Sequence, residues 1–219
     1  YEAACLGHVS DETQIVLDHF GFQPPKRIYD MYTQVQDLEF DVPPLLGAAV
    51  TVSRGWKILQ GQKNISAVPV ANENGTLYGM LSREDVASYN MESVSAGSLK
   101  AVPLFNVLSV LEGKVINDAG ENTDIISGEV TIALPQEQEN LLFNRQDSIV
   151  ICGHQPDMIR RALEMNVNCV ILCQAELPAS LRKMSTKTCV ISTPYDAYRA
   201  ARLIFQSVAI ADICRTQDI

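Results

Sequence analysis

Asn168-Cys169-Val170-Ile171-Leu172-Cys173 contains no charged residue, and every position after Asn168 is apolar. Side chains alternate between the two faces of a strand, so a strand apolar at every position is covered on both sides. Ser148-Ile149-Val150-Ile151-Cys152 and Cys189-Val190-Ile191-Ser192 read the same way, and a further strand is expected over 128–134. Helical patterns near 137–143, 156–166 and 194–206 alternate with these runs. Short buried strands separated by amphipathic helices specify an α/β fold with a mainly parallel sheet and right-handed crossovers. Most of the six cysteines sit inside these runs. Cys169 and Cys173 share a strand face but stand about 13 Å apart at roughly 3.3 Å per residue. One zinc ion with bonds of about 2.3 Å cannot span that distance. Reduced core thiols in the cytoplasm are therefore expected.

Ahead of this region lies a different pattern. A helix is expected over 53–60 around Trp56, Ile58 and Leu59, then a strand over 65–70. Asn72-Glu73-Asn74-Gly75 makes a turn in which Asn74-Gly75 favours positive φ. Leu77-Tyr78-Gly79-Met80-Leu81 returns as a strand, and Ser82-Arg83-Glu84-Asp85 opens a second helix. The Ser- and Gly-containing stretch 92–99 reads as a linker. At the N-terminus a strand end precedes a helix capped by Ser10, with Ile15, Val16, Leu17 and Phe20 on its apolar face and Gly21 at its end. Such a short piece cannot bury that face alone.

The 219 residues are 47 % apolar and carry a formal charge of −9, with a pI of about 4.8. That balance argues against duplex nucleic acid or an anionic membrane as partner, since both reward Lys and Arg. It leaves room for a small phosphorylated ligand held by backbone N–H groups and one or two cations. No run approaches the length of a membrane span, and Tyr1-Glu2-Ala3 does not read as a signal peptide.

Gly79-Met80-Leu81-Ser82-Arg83-Glu84-Asp85 carries the candidate chemistry. Ser82 with Asp85 three residues on is a capping box, and helix capping alone accounts for it. The same geometry suits a nucleotide: free N–H groups at a helix start attract phosphate, Ser82 can donate to it, and Arg83 adds a cation. Asp85 could then accept from ribose hydroxyls. Thr193-Pro194-Tyr195-Asp196 is a second Thr-x-x-Asp capping box, explained as a helix start. His154, after strand 148–152 and before Pro156, reads as part of a strand–helix loop with no nucleophile beside it.

Asn64-Ile65-Ser66-Ala67-Val68-Pro69-Val70, the Asn74-Gly75 turn and the Gly79–Asp85 ending together resemble a CBS motif. That resemblance implies adenine-nucleotide binding when motifs pair. Ser82, Arg83 and Asp85 would be the polar contacts, with backbone groups around Thr51, Ser66, Ala67 and Pro69 lining the adenine slot. Leu6-Gly7, Glu12-Thr13-Gln14 and Val16-Leu17-Asp18-His19-Phe20-Gly21 resemble an early DHH-domain segment of manganese-dependent, family II inorganic pyrophosphatases. Residues 101–206 resemble the DRTGG domain that lies between the two CBS motifs of regulated members. The supporting matches are Pro103-Leu104-Phe105-Asn106, Gly113-Lys114-Val115-Ile116, Gly128-Glu129-Val130 and Ser192-Thr193-Pro194-Tyr195-Asp196. Gly153-His154-Gln155 departs from the Asp-Arg pair common there. Residues 206–213 look like the start of a second CBS motif.

The resemblance implies four parts: 1–28 from a DHH-type domain, 29–93 as the first CBS motif, 94–206 as a three-layer DRTGG-like domain, and 207–219 beginning the second motif. The implied regulator is AMP, ADP, ATP or a diadenosine polyphosphate. Manganese would belong only to catalytic domains outside this chain, because their Gly-His-x-x-x-Asp-x-Asp motif is missing here. His8-Val9-Ser10-Asp11 follows that motif in the resembled segment and supplies no ligands.

Three readings follow. The leading one is a regulatory module that pairs as a homodimer and acts on its own DHH catalytic domains. Pyrophosphate hydrolysis by the chain itself fits poorly with three scattered histidines. A ligand-independent assembly module is the third.

Overall fold

The computed structural model describes residues 2–29, 32–133 and 146–216. It comprises two compact units, residues 1–42 and 43–219. The first unit holds β1 (Ala4–Leu6), α1 (Asp11–Phe20) and β2 (Lys26–Ile28), with β1 and β2 parallel. Ser10 caps α1 by accepting from the Thr13 amide, and Gly21 ends it in the left-handed region at φ 68°. No residue of α1 is buried, and Ile15, Val16 and Phe20 are exposed. A 3-10 turn at Val35–Asp37 lies in the same unit.

The second unit opens with the expected helix–strand–turn–strand–helix order. It runs β3 (Leu46–Gly47), α2 (Val52–Gly61), β4 (Ala67–Ala71), β5 (Leu77–Ser82) and α3 (Arg83–Ala96). The sheet order is β3-β4-β5, with β4 antiparallel to β5. Gly75 takes φ 80° in the connecting turn, and the Asn74 carboxamide oxygen accepts from the amide and hydroxyl of Thr76. Val68 and Leu81 face each other into the core, while Ala67, Pro69, Met80 and Ser82 share the opposite face.

The expected linker at 92–99 is mostly helix. α3 continues to Ala96, and Ser93 and Ser95 direct their hydroxyls to the helix's own carbonyls of Asn90 and Met91, where serine is compatible with a helix already running. Gly97 ends it at φ 63°, and the chain passes straight into a strand.

The remaining elements are β6 (Ser98–Pro103), α4 (Leu104–Leu111), β7 (Lys114–Val115), α5 (Asp118–Glu121), β8 (Ile125–Ile132), β9 (Ser148–Cys152), α6 (Pro156–Glu164), β10 (Cys169–Cys173), β11 (Cys189–Thr193) and α7 (Ala197–Leu203). Their sheet has the order β6-β8-β9-β10-β11-β7. The four central strands are parallel, and the two edges are antiparallel. β8 begins earlier than expected because Ile125 and Ile126 pair with β6. The helix expected near 137–143 lies outside the described residues.

Strand alternation splits the core into two layers. Ile149, Ile151, Cys169, Ile171 and Ile191 pack with Val107 and Leu111 of α4 and Ala200 of α7. Val150, Cys152, Val170, Leu172 and Val190 pack with Ile159, Ala162 and Leu163 of α6. This is the three-layer α/β arrangement, and each fully buried Ile or Leu stabilises it by about 1.5–3 kcal/mol. Gly128 has φ 131°, and a Cβ there would lie 1.6 Å from the Asp147 carbonyl oxygen. Only glycine fits where β8 meets the entry to β9.

All six cysteines are free, and the four in β9, β10 and β11 are buried. Cys169 and Cys189 stand opposite each other on neighbouring strands. The hydrogen bond between their thiols and complete burial push the Cys169 thiol up. No helix among the described residues is long and apolar enough to cross a membrane.

Candidate functional site

β5 delivers Ser82 to the head of α3 in extended backbone geometry, φ −102° and ψ 168°. The capping box is complete. The Asp85 amide donates to Ser82 Oγ at 3.1 Å, and Asp85 Oδ2 accepts from the Ser82 amide at 2.9 Å and its hydroxyl at 2.6 Å. Asp85 Oδ1 accepts from Arg215 Nε at 2.7 Å. The Asp85 side chain is only 7 % exposed, whereas that of Arg215 is 72 % exposed. Burial pushes the Asp85 carboxyl up, but hydrogen bonds from Ser82 and the Arg215 guanidinium outweigh it and hold the pKa below the usual value.

A cavity of about 400 Å³ lies beside this box, lined by Asp85, Tyr89, Glu92, Lys100, Val208 and Asp212 among others. Residues 208–215 close one side of it by pairing with the small sheet. The Val52 amide donates to Val208 O, and Met80 and Arg215 exchange two backbone hydrogen bonds of 3.1 and 3.0 Å. Tyr89 fixes the turn that leads into this segment by donating to Phe205 O at 2.9 Å. Burial and nearby Asp212 push the Tyr89 phenol up to about 12.

The seven sequence-predicted residues are only partly gathered. Ser82 and Asp85 are joined at the head of α3, and Ala67 and Pro69 share the sheet face with Ser82. The Ser66 carbonyl accepts from the Arg83 amide at 3.3 Å. Thr51 instead caps α2 by accepting from the Arg54 amide, and it lines a different cavity. Arg83 departs from the expected phosphate-facing role. Its Nη2 donates to the carbonyls of Leu59 at 2.9 Å, Gln62 at 2.6 Å and Ile65 at 3.4 Å. It ties the end of α2 to the segment that leads into β4. The cation at the head of α3 is Arg215, from 130 positions further along the chain. Only its place in the expected second motif could have pointed to it.

Two loops of the larger domain differ from or match their sequence reading. α7 is capped by Asp196, which accepts from the Arg199 amide at 2.9 Å. Thr193 does not cap it, because its hydroxyl belongs to β11 and donates to Leu111 O at 2.6 Å. His154 is exposed in the β9–α6 loop, and Pro156 opens α6. Among the described residues no group of three or more His, Cys, Asp and Glu side chains could hold a metal ion.

Residues 106–207 match the DRTGG domain family, a span running from within α4 to the 3-10 turn after α7. The cobalt-dependent inorganic pyrophosphatase of Clostridium perfringens is 32 % identical over 97 % of this chain and 39 % of its own length. A probable manganese-dependent inorganic pyrophosphatase of Thermotoga maritima is 24 % identical over 93 % of this chain and 38 % of its own length. Among solved structures, the CBS and DRTGG domains of the Clostridium perfringens pyrophosphatase regulatory region, complexed with the activator diadenosine tetraphosphate, match with a TM-score of 0.67. Their sequence identity is 27 %, covering 85 % of this chain and 83 % of that one. The chain is homologous to the CBS–DRTGG regulatory region of inorganic pyrophosphatases. It spans about two fifths of the length of the curated relatives it matches. The six-stranded sheet lies in the region of the DRTGG match, and the small β3-β4-β5 sheet with its helices, here called the CBS unit, corresponds to the CBS part of the matched regulatory region.

Proposed function

We propose that this chain is the adenine-nucleotide-binding regulatory segment of a metal-dependent inorganic pyrophosphatase. It controls pyrophosphate hydrolysis by separate catalytic domains, to which residues 1–28 belong and which alone hold the metal, manganese or cobalt. The observation that carries the reading is the match, over most of both chains, to a regulatory region crystallised with diadenosine tetraphosphate.

Ser82 and the open amides at the head of α3 bind phosphate, with Arg215 as the cation in place of Arg83. Asp85 Oδ2 is committed to Ser82, so a ribose hydroxyl reaches Oδ1 as the exposed Arg215 turns from it to phosphate. Backbone around Ser66, Ala67 and Pro69 completes the adenine slot. A nucleotide that prefers one arrangement of two such sites, contributed by a homodimer, shifts the catalytic domains by that preference. Six free thiols fit a reducing cytoplasm.

Equilibrium titration of the chain with AMP and with diadenosine tetraphosphate tests the reading. Saturable binding that disappears in a Ser82→Ala, Asp85→Ala double variant of unchanged circular dichroism is expected. Wild-type affinity in that variant would remove the site. A second reading, a ligand-independent dimerisation module, draws support from both oxygens of the Asp85 carboxylate being bonded within the chain, to Ser82 and Arg215. It predicts a dimer on size exclusion that nucleotide neither binds nor alters.

A further inference from the structure

A second cavity, of about 470 Å³, opens where α2 of the CBS unit meets α4 and the loop and helix around α7. Its lining carries three cations, Arg54, Lys57 and Arg199, against one carboxylate, Glu112. In a chain of formal charge −9 this is a local reversal of sign. Arg54 and Lys57 lie three residues apart on α2 and so share a face, with the half-buried Trp56 beside them. Among the described residues, none of the three cations takes part in an ion pair.

Arg199 is held in place rather than left loose. Its guanidinium carbon lies 3.9 Å from the centre of the Tyr195 ring, and Tyr195 lines the same cavity as Glu112. Stacking of this kind occupies the face of the guanidinium and leaves its edge donors free. Part of the ordering needed to bind an anion is therefore already in place. The cations come from both sides of the seam, α2 on one and α7 on the other.

We infer that this seam is a binding site for a polyphosphate group, free or carried by a nucleotide, separate from the Ser82–Asp85 cleft. Anionic oxygens bridge Arg54 and Lys57 to Arg199, and Trp56 offers its indole to any attached flat ring. Occupancy ties the CBS unit to the sheet behind it.

Trp56 is the sole tryptophan of the chain and lines this cavity, so its emission serves as a reporter for binding here. The chain is titrated with sodium tripolyphosphate, ATP and adenosine, and equilibrium dialysis of tripolyphosphate reads binding independently of fluorescence. Saturable binding of tripolyphosphate and ATP, but not adenosine, is expected, weakening steeply with salt. Arg54→Gln and Arg199→Gln should each lower tripolyphosphate affinity about ten-fold with circular dichroism unchanged. Arg54→Lys should recover part of the loss, and tripolyphosphate binding that depends on Arg54 and Arg199 should persist in Ser82→Ala. Absence of saturable binding by dialysis, or wild-type affinity in both Gln variants, overturns the site. Binding lost in Ser82→Ala but kept in Arg199→Gln also overturns it, and leaves the first cleft standing.

Discussion

Replacing Asp85 by Asn preserves the shape of the side chain and removes its charge. In the native protein Oδ2 accepts two hydrogen bonds from Ser82 and Oδ1 accepts one from Arg215. Whichever way round the new amide sits, its NH₂ group faces a donor. The better orientation turns NH₂ toward Arg215, whose exposed side chain can swing into water. The Ser82 bonds then reach a neutral acceptor, a loss of about 1 kcal/mol each. The ion pair, screened on the Arg215 side, adds about 0.5 kcal/mol. Because these contributions share one group and do not add fully, about 2 kcal/mol is expected at neutral pH. That corresponds to a Tm lowered by about 4–8 °C for a domain of this size.

The variant also has a pH signature. The folded-state pKa of Asp85 is lowered, so between that value and the ordinary value of about 3.9 only the unfolded chain holds the proton. Stability rises with pH across this window. The contribution is complete above the unfolded value and disappears as pH falls through the folded one. Urea melts followed by circular dichroism should show a gap between wild type and Asp85→Asn at pH 7 that narrows in acid. No gap at pH 7, or one that stays constant into acid, would refute the assignment.

Arg83→Ala removes the donor shared by three carbonyls near the end of α2 and should destabilise the chain by about 2 kcal/mol. AMP affinity per folded molecule should stay within about two-fold, since Arg83 acts on the helix end. A selective loss of AMP binding with unchanged melting would return Arg83 to the ligand. Thiol titration with an aromatic disulfide should modify Cys5 and Cys214 in the native chain and the other four only after unfolding. Burial pushes Cys152 up to about 12 and Cys173 up to about 11, so raising pH within the folded range should not expose them.

Periodicity carried the larger sheet, because its central strands are apolar on both faces and its helices on one. The CBS unit was legible from turn and cap chemistry: Asn74-Gly75 and Ser82–Asp85 form their local hydrogen bonds within a few residues. What the sequence hid is what joins distant positions. Arg83 carries the same charge whether it faces phosphate or the carbonyls of α2, and only the path of the chain after Gly61 decides between them. Serines in 92–96 signal a linker by composition, yet they also bond to helix carbonyls when a helix is already running. Arg215 meets Asp85 only because residues 208–215 return to the small sheet, which no local pattern encodes.

That return rests on a glycine. Gly79 lies in β5 opposite Val70, and a Cβ there would sit 2.5 Å from the Arg215 carbonyl oxygen and 3.3 Å from Cys214 Sγ. The first obstacle is backbone, which cannot rotate aside as a side chain can. In Gly79→Ala the Arg215 strand must therefore lift from Met80, losing two backbone hydrogen bonds of about 1 kcal/mol each. Its ion pair with Asp85 goes with it. Ile210, fully buried in the core, and the Val208 contact to α2 remain, so the detachment stays local. Hydrogen exchange should show the Met80 and Arg215 amides losing protection while those of β9 and β10 keep theirs. Because Arg215 is the proposed phosphate cation, AMP affinity should fall in a chain that still melts cooperatively. Undiminished protection at Met80 and Arg215 would mean that the strand tolerates a methyl group and that the close approach is not what fixes Arg215 over Asp85.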